Sequence, residues 1–221
     1  MFKYYYEKKQ KKKLSTRIKN IITENDKCYV ELEDSIFYPQ GGGQKGDRGY
    51  IVVGDKKYNI VNSIKDENYN SVLVMEDPIR KENIGEKAEC YLDWDFRYKQ
   101  MRLHTALHIY HVLIEEEKKE KLNNPILSTI EDGYAINKYD ENDFDIHILD
   151  GVTKKFRELT KKDIKVITYK DKEKENFRYW RCMDSIIPCG GVHVDNLNEI
   201  GDVDIAITHR KKSITIKIIL K

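Results

Sequence analysis

An α+β protein is expected from this 221-residue chain: a small, β-barrel-like part over residues 1–90, then a mixed α/β part over 91–221. Three observations predict it. The first 90 residues hold short β-branched and aromatic runs separated by Gly, Asp and Asn, the pattern of strands and tight turns. Residues 97–121 place Leu103, Leu107, Tyr110 and Ile114 at i, i+4, i+7 and i+11, an apolar helical stripe. Beyond them, short apolar runs alternate with a second stretch of helical spacing.

Taken in order, the N-terminal run 8–13 is lysine-rich and reads as a solvated terminus or strand flank, with an RNA contact as the other reading. Residues 28–32 alternate polar and apolar side chains; 49–53, 58–64 and 71–75 follow as further strands, suiting a small barrel or sandwich. The pattern changes around 91–96, where the long helix 97–121 follows. Its apolar stripe buries one flank, and His104, His108 and His111 lie on the adjacent stripe. Residues 127–136 and 144–149 are expected as strands. A helix over 151–160 carries Val152, Phe156 and Leu159, and strands follow at 165–169, 203–208 and 213–220.

Composition bounds the rest. Forty basic and 38 acidic residues leave a net charge of +2, so global charge does not announce a nucleic-acid binder, although local patches can serve one. The four cysteines have no disulfide-framework spacing. The N-terminus lacks the apolar core of a signal peptide, and no stretch is long and apolar enough to span a bilayer. A cytoplasmic protein is expected, with no membrane association and no obligate protein partner. Cys28 and Cys90 read as small buried residues, and Cys182 as a neighbour of the segment that follows it.

Four residues carry the chemistry. HTALH holds His104 and His108, and CGGVH holds Cys189 and His193. On a helix, residues four apart lie about 5–6 Å from each other on one face. The two glycines of CGGVH let thiolate and imidazole converge. Three imidazoles and one thiolate form a good tetrahedral donor set for one Zn2+ ion. The pairs stand about 80 positions apart, so the site is expected within a folded domain, between the long helix and a loop or strand. His111 reads as a non-ligand.

The second informative stretch is SIFYPQGGGQKGDRG, residues 35–49. Consecutive glycines, Gly42 and Gly43 among them, let backbone come close to a ligand or to another segment; a bulge or barrel corner is the structural alternative. No Lys-Ser/Thr follows, which argues against a phosphate loop. Gln44 and Asp47 can bond a small polar group or fix the turn.

With FYPQGGGQKGDRG, RLHTALHIYHVL and PCGGVHVDNLNEIG in this order, the chain resembles the alanyl-tRNA editing proteins, the AlaX family, in their medium-length form, and the editing domain of alanyl-tRNA synthetase. The resemblance implies a freestanding, trans-acting hydrolase that removes serine or glycine wrongly joined to tRNA(Ala). It puts the family's metal positions on His104, His108, Cys189 and His193, and the editing-pocket glutamine on Gln44. Val192 stands where the family usually has threonine, which removes a hydroxyl; Ser35 stands at another threonine position and keeps one. Both bear on how serine is told from alanine, because pockets discriminate most strongly through hydrogen bonds. Arg97, Lys99 and Arg102 near the helix start, and Arg210, Lys211 and Lys212 near the end, are expected to contact tRNA phosphates, against the alternative of plain solvated charge. Two other classes stand beside this reading. One is a deacylase for serine on tRNA(Thr), like the editing domain of threonyl-tRNA synthetase. The other is a non-catalytic zinc-stabilised RNA-binding module, which four protein ligands favour because such a set normally closes a zinc site.

Overall fold

A computed structural model describes residues 3–221. The chain divides into two compact units. The first comprises residues 1–41 and 45–97, and the second comprises 42–44 and 98–221. The division falls at Arg97, inside the long helix, and not ahead of it.

In the first unit a short helix, α1 (Tyr4–Glu7), precedes six strands: β1 (Lys13–Glu24), β2 (Lys27–Leu32), β3 (Gly49–Val53), β4 (Lys56–Lys65), β5 (Ser71–Met75) and β6 (Lys87–Leu92). They close a barrel in the order β1-β2-β5-β4-β3-β6, with every neighbouring pair antiparallel. Alternation dictates this. In β2, Cys28, Val30 and Leu32 point inward while Lys27, Tyr29 and Glu31 do not; closure leaves no unpaired sheet edge. Cys28 and Cys90 are buried in the barrel core, as expected. Strands β1 and β6 were not anticipated. A bulge between Ile18 and Asn20 shifts the phase of β1, so Leu14 and Ile18 share one parity and Ile21 the other. β6 fills the core partly with the small residues Ala88 and Cys90.

The second unit is built on α2 (Trp94–Lys118), whose residues from Tyr98 onward belong to it. Strands β7 (Leu127–Ile130) and β8 (Tyr134–Asp140) lead to α3 (Leu149–Leu159). Then come β9 (Val166–Lys170), β10 (Arg178–Cys182), β11 (Ser185–Pro188), β12 (Val203–Arg210) and β13 (Ser213–Leu220). These strands make a four-stranded sheet, β12-β13-β8-β7, and a three-stranded sheet, β11-β10-β9.

Three expectations are corrected here. The strand expected over 127–136 is a hairpin, because Gly133 at φ +94° turns the chain and Glu131 N–H donates to Tyr134 O. The strand expected over 144–149 is a 3-10 turn (Ile146–Ile148) running into α3, capped by the Asp145 carboxylate, which accepts from His147 N–H. The alternation Phe144, Ile146, Ile148 imitates a strand there. Finally, α2 does not bury a single flank: Met101, Leu103, Ala106, Leu107, Ile109, Tyr110, Val112, Leu113 and Ile114 are all buried, so the helix is enclosed on nearly every side.

Candidate metal centre

In α2, His104 and His108 stack one turn apart, with ring centroids 4.9 Å from each other. Cys189 directly follows β11, and His193 lies in the loop that leaves it. The Cys189 Sγ is 3.5 Å from His104 Nε2, 3.3 Å from His108 Nε2 and 3.4 Å from His193 Nε2. All four donor atoms fall within 4.8 Å of one another. Zinc with Zn–S about 2.3 Å and Zn–N about 2.0–2.1 Å, at tetrahedral angles, has S···N edges of about 3.5 Å. The three sulfur-to-nitrogen edges therefore match those such an ion needs. His111 stands apart: its Nδ1 lies 3.0 Å from Tyr139 OH and its Nε2 3.5 Å from Glu115, with no part in the cluster.

The outward nitrogens of two of these imidazoles are held by neighbours. Gln44 Oε1 lies 2.9 Å from His104 Nδ1 and also accepts from Val192 N–H at 3.2 Å. A carbonyl oxygen can only accept, so Nδ1 of His104 carries the proton and Nε2 keeps its lone pair toward Cys189. Thr105 does the same for His193. Its hydroxyl donates to Met101 O (2.9 Å), leaving its oxygen to accept from His193 Nδ1 at 3.2 Å. Trp180, fully buried, stacks on His108 at 5.1 Å. Thr105 and Trp180 were not singled out from the sequence; the position of Thr105, directly after the first histidine, was the available signal.

Burial sets the protonation of the metal-free site. It lowers His104 to about 4 and, helped by neighbouring His104 and His111, holds His108 well below the usual histidine range. It pushes the Cys189 thiol up to about 11, against the Gly191 N–H that bonds its sulfur. His104 and His108 are thus neutral and ready to ligate, whereas the Cys189 thiol must lose its proton.

The glycine segment enters this unit as residues 42–44. Gly42 and Gly43 take φ +61° and +79°, and Gly43 O accepts from Ile130 N–H at 2.9 Å. A Cβ at Gly43 would come 2.8 Å from Ser128 O. Gly42, Gly43, His104, His108 and Cys189 share the wall of a cavity of about 330 Å³ with Leu107, Ser128 and Asn137.

Most of the other expected site residues have partners of their own. Val192 is buried and contributes its backbone N–H to Gln44, so the hydroxyl missing from its side chain is not what ties this loop to the glycine segment. Ser35 and Asp47 belong to the first unit and are fully buried there. The Ser35 hydroxyl accepts from Phe37 N–H. Asp47 pairs with the Arg97 guanidinium and accepts from Tyr38 N–H; burial pushes its carboxyl up against the pull of that cation. This corrects the expectation for Arg97. It is fully buried, bonded to Asp47 and to Ile36 O, and is not offered to a phosphate. Arg102 spends two nitrogens on Ile200 O, and Lys99 pairs with Asp132 at 3.1 Å. Arg210, Lys211 and Lys212 are exposed at the β12–β13 turn.

A family model described as tRNA synthetases class II (A) matches residues 2–96. Over 206 residues the chain is 32% identical to the alanyl-tRNA editing protein AlaX-M of Pyrococcus horikoshii, covering 91% of this chain and 88% of that protein. The chain belongs to the AlaX family of alanyl-tRNA editing proteins. It is also 29% identical to AlaX-L of the same organism, across 94% of this chain but 54% of that relative, and so spans about half of the longer protein. An alanine–tRNA ligase of Saccharolobus islandicus is 25% identical over 83% of the chain, which corresponds to 23% of the ligase. Among the described residues no helix is long and apolar enough to cross a membrane, and all four cysteines are free.

Proposed function

We propose that this AlaX protein hydrolyses the ester joining a wrong amino acid, serine or glycine, to tRNA(Ala), with a zinc ion held by His104, His108, Cys189 and His193. The observation that carries the reading is the convergence of four soft and borderline donors beside a glutamine amide, in a family named for alanyl-tRNA editing. An ion bound there supplies Lewis acidity that draws electrons from an ester carbonyl. The side chains do the rest. Gln44 is 1% exposed; its Oε1 is committed to Val192 N–H and His104 Nδ1, while its Nε2 has no hydrogen-bond partner. A buried amide with an unused donor is costly unless something else completes it. We assign that donor to the ester oxygen on which charge develops as water adds to the carbonyl carbon. The ester C–O bond then breaks, and the ribose oxygen leaves with a proton that came from the water. An aminoacyl ester is already activated, so polarisation and a positioned donor are adequate.

The closed donor set favours a second reading, a zinc-stabilised RNA-binding module without catalysis. Deacylation of tRNA(Ala) charged with serine, glycine or alanine, with and without chelator and beside Cys189→Ala, separates the two. Metal-dependent loss of serine or glycine that spares alanine is the expected result. No release by folded, zinc-loaded protein overturns the tRNA(Ala) deacylase reading; tRNA(Thr) charged with serine is then assayed, and no release there either leaves the module.

A further inference from the structure

The outer face of the barrel carries a feature that the metal centre does not use. Lys13 of β1, Tyr91 of β6 and Tyr50 of β3 lie in one cross-strand row, since Lys13 pairs with Tyr91 and Tyr91 with Tyr50. The two tyrosine rings stack at 4.6 Å and 11°. Lys13 Nζ sits 5.0 Å over Tyr91, and Lys57 Nζ sits 4.1 Å over Tyr50. Next to the row, Lys12 Nζ lies 4.8 Å over the Trp94 ring. The lysines are exposed and the three aromatic residues are half-buried. Of the carboxylates near the strip, Glu89 is matched by Lys87 at 2.7 Å and Asp93 by Arg48 at 2.8 Å, while Asp55 and Asp95 are exposed at its margins. The strip itself, Lys12, Lys13, Tyr50, Lys57, Tyr91 and Trp94, holds three cations and no carboxylate, with aromatic rings interleaved among the cations.

From this we infer that the outer strip formed by Lys12, Lys13, Tyr50, Lys57, Tyr91 and Trp94 is an RNA-binding surface. Flexible ammonium groups that rest on rings in the free protein can swing to phosphates, and the rings they uncover offer flat faces to bases or sugars; this cation-plus-ring combination holds single strands without reading sequence. Cross-strand pairing alone accounts for stacked tyrosines on a sheet, but it does not call for Lys13 and Lys57 resting on those rings and Lys12 on Trp94 beside them, none of the three ion-paired with a carboxylate among the described residues. The inference rests on the reading that the substrate is a tRNA, so binding is measured apart from hydrolysis.

The test is the affinity of uncharged tRNA(Ala) transcript for the full chain across a salt series. Three variants serve: Lys12→Gln/Lys13→Gln/Lys57→Gln, Tyr50→Ala/Tyr91→Ala, and, as a control of equal charge on the same barrel, Lys19→Gln/Lys27→Gln/Lys81→Gln. The strip lysine variant is expected to bind at least tenfold more weakly and to lose about 2–3 from the log–log salt slope, because each phosphate contact contributes about 0.7–0.9. The tyrosine variant is expected to bind several-fold more weakly at an unchanged slope. The control stays within about twofold of the parent. Equal weakening by strip and control lysines means diffuse electrostatics and overturns the proposal, as does unchanged binding in the strip variant. Should the tyrosine pair prove necessary for folding, judged by thermal melting, the two lysine variants decide alone. Competition by polyglutamate as effective as that by RNA would assign the strip to acidic polymers in general and overturn the RNA assignment. Salt-dependent binding without any deacylation would sink the hydrolase reading and leave this one standing.

Discussion

Thr105 and His193 are joined by a hydrogen bond that can run in one direction only. The Thr105 proton is spent on Met101 O, so its oxygen must accept from His193 Nδ1. That turns the lone pair of His193 Nε2 toward Cys189, 3.4 Å away. Thr105→Val keeps the shape and removes the acceptor. Zinc affinity, read by competition with a chromophoric chelator, should fall about 10–100-fold, and Thr105→Ser should keep most of it. Equal affinity in the valine variant would refute the orienting role.

Gln44 acts on His104 by the same logic and carries an unused donor besides. Gln44→Leu should lower zinc affinity and, even at saturating zinc, slow single-turnover release of serine from tRNA(Ala) by about 10²–10³-fold. A deficit that vanishes once zinc saturates would reduce Gln44 to a ligand-positioning residue.

The metal-free protein should be acid-sensitive. In the folded state His104 titrates at about 4 instead of 6.5, and His108 is lowered as well. Below pH 6.5 the unfolded chain takes up protons that the folded chain refuses, so stability is fully present above 6.5 and is lost as pH falls toward 4. The loss is on the order of 3 kcal/mol for such an imidazole. Urea midpoints in chelator at pH 7.5, 6 and 5 should fall in that order, and a flat series would contradict the burial argument.

Zinc binding near pH 7 should release about one proton, from the Cys189 thiol held up at about 11, and none from the neutral His104 and His108. Calorimetry in buffers of different ionisation enthalpy counts it. Three protons per ion would mean that the histidines are charged in the free protein.

Arg97→Met should destabilise the first unit by about 3–5 kcal/mol, since it strands the Asp47 carboxylate in a fully buried place. Arg97→Met/Asp47→Leu should recover much of that loss in thermal melting, a pattern that a phosphate-binding arginine would not give.

The cluster of His104, His108, Cys189 and His193 was legible because its pattern is local. HTALH on a helix and CGGVH around a turn each pre-assemble half the donor set, and only the meeting of the halves needed the fold. Strands 49–53 and 71–75 were legible because their β-branched runs are bounded by Gly, Asp and Asn turn residues. β1 was not, because its bulge breaks the alternation. The fate of Arg97 was not legible either: an arginine near a helix start looks like surface until a buried carboxylate 50 positions earlier is brought onto it. Nor was the role of Thr105, whose side chain gains meaning only once a loop 88 residues away supplies His193.

The chain's course places Gln44 in the second unit although it stands amid sequence of the first. No single cut can therefore separate the barrel from the other unit intact. A fragment starting after residue 97 would hold all four clustered donors yet leave His104 Nδ1 without its acceptor. Shortening or shuffling this protein by simple truncation would thus keep the metal donors while discarding the residue that aims one of them, and a free-living second unit would have to evolve its own replacement for Gln44.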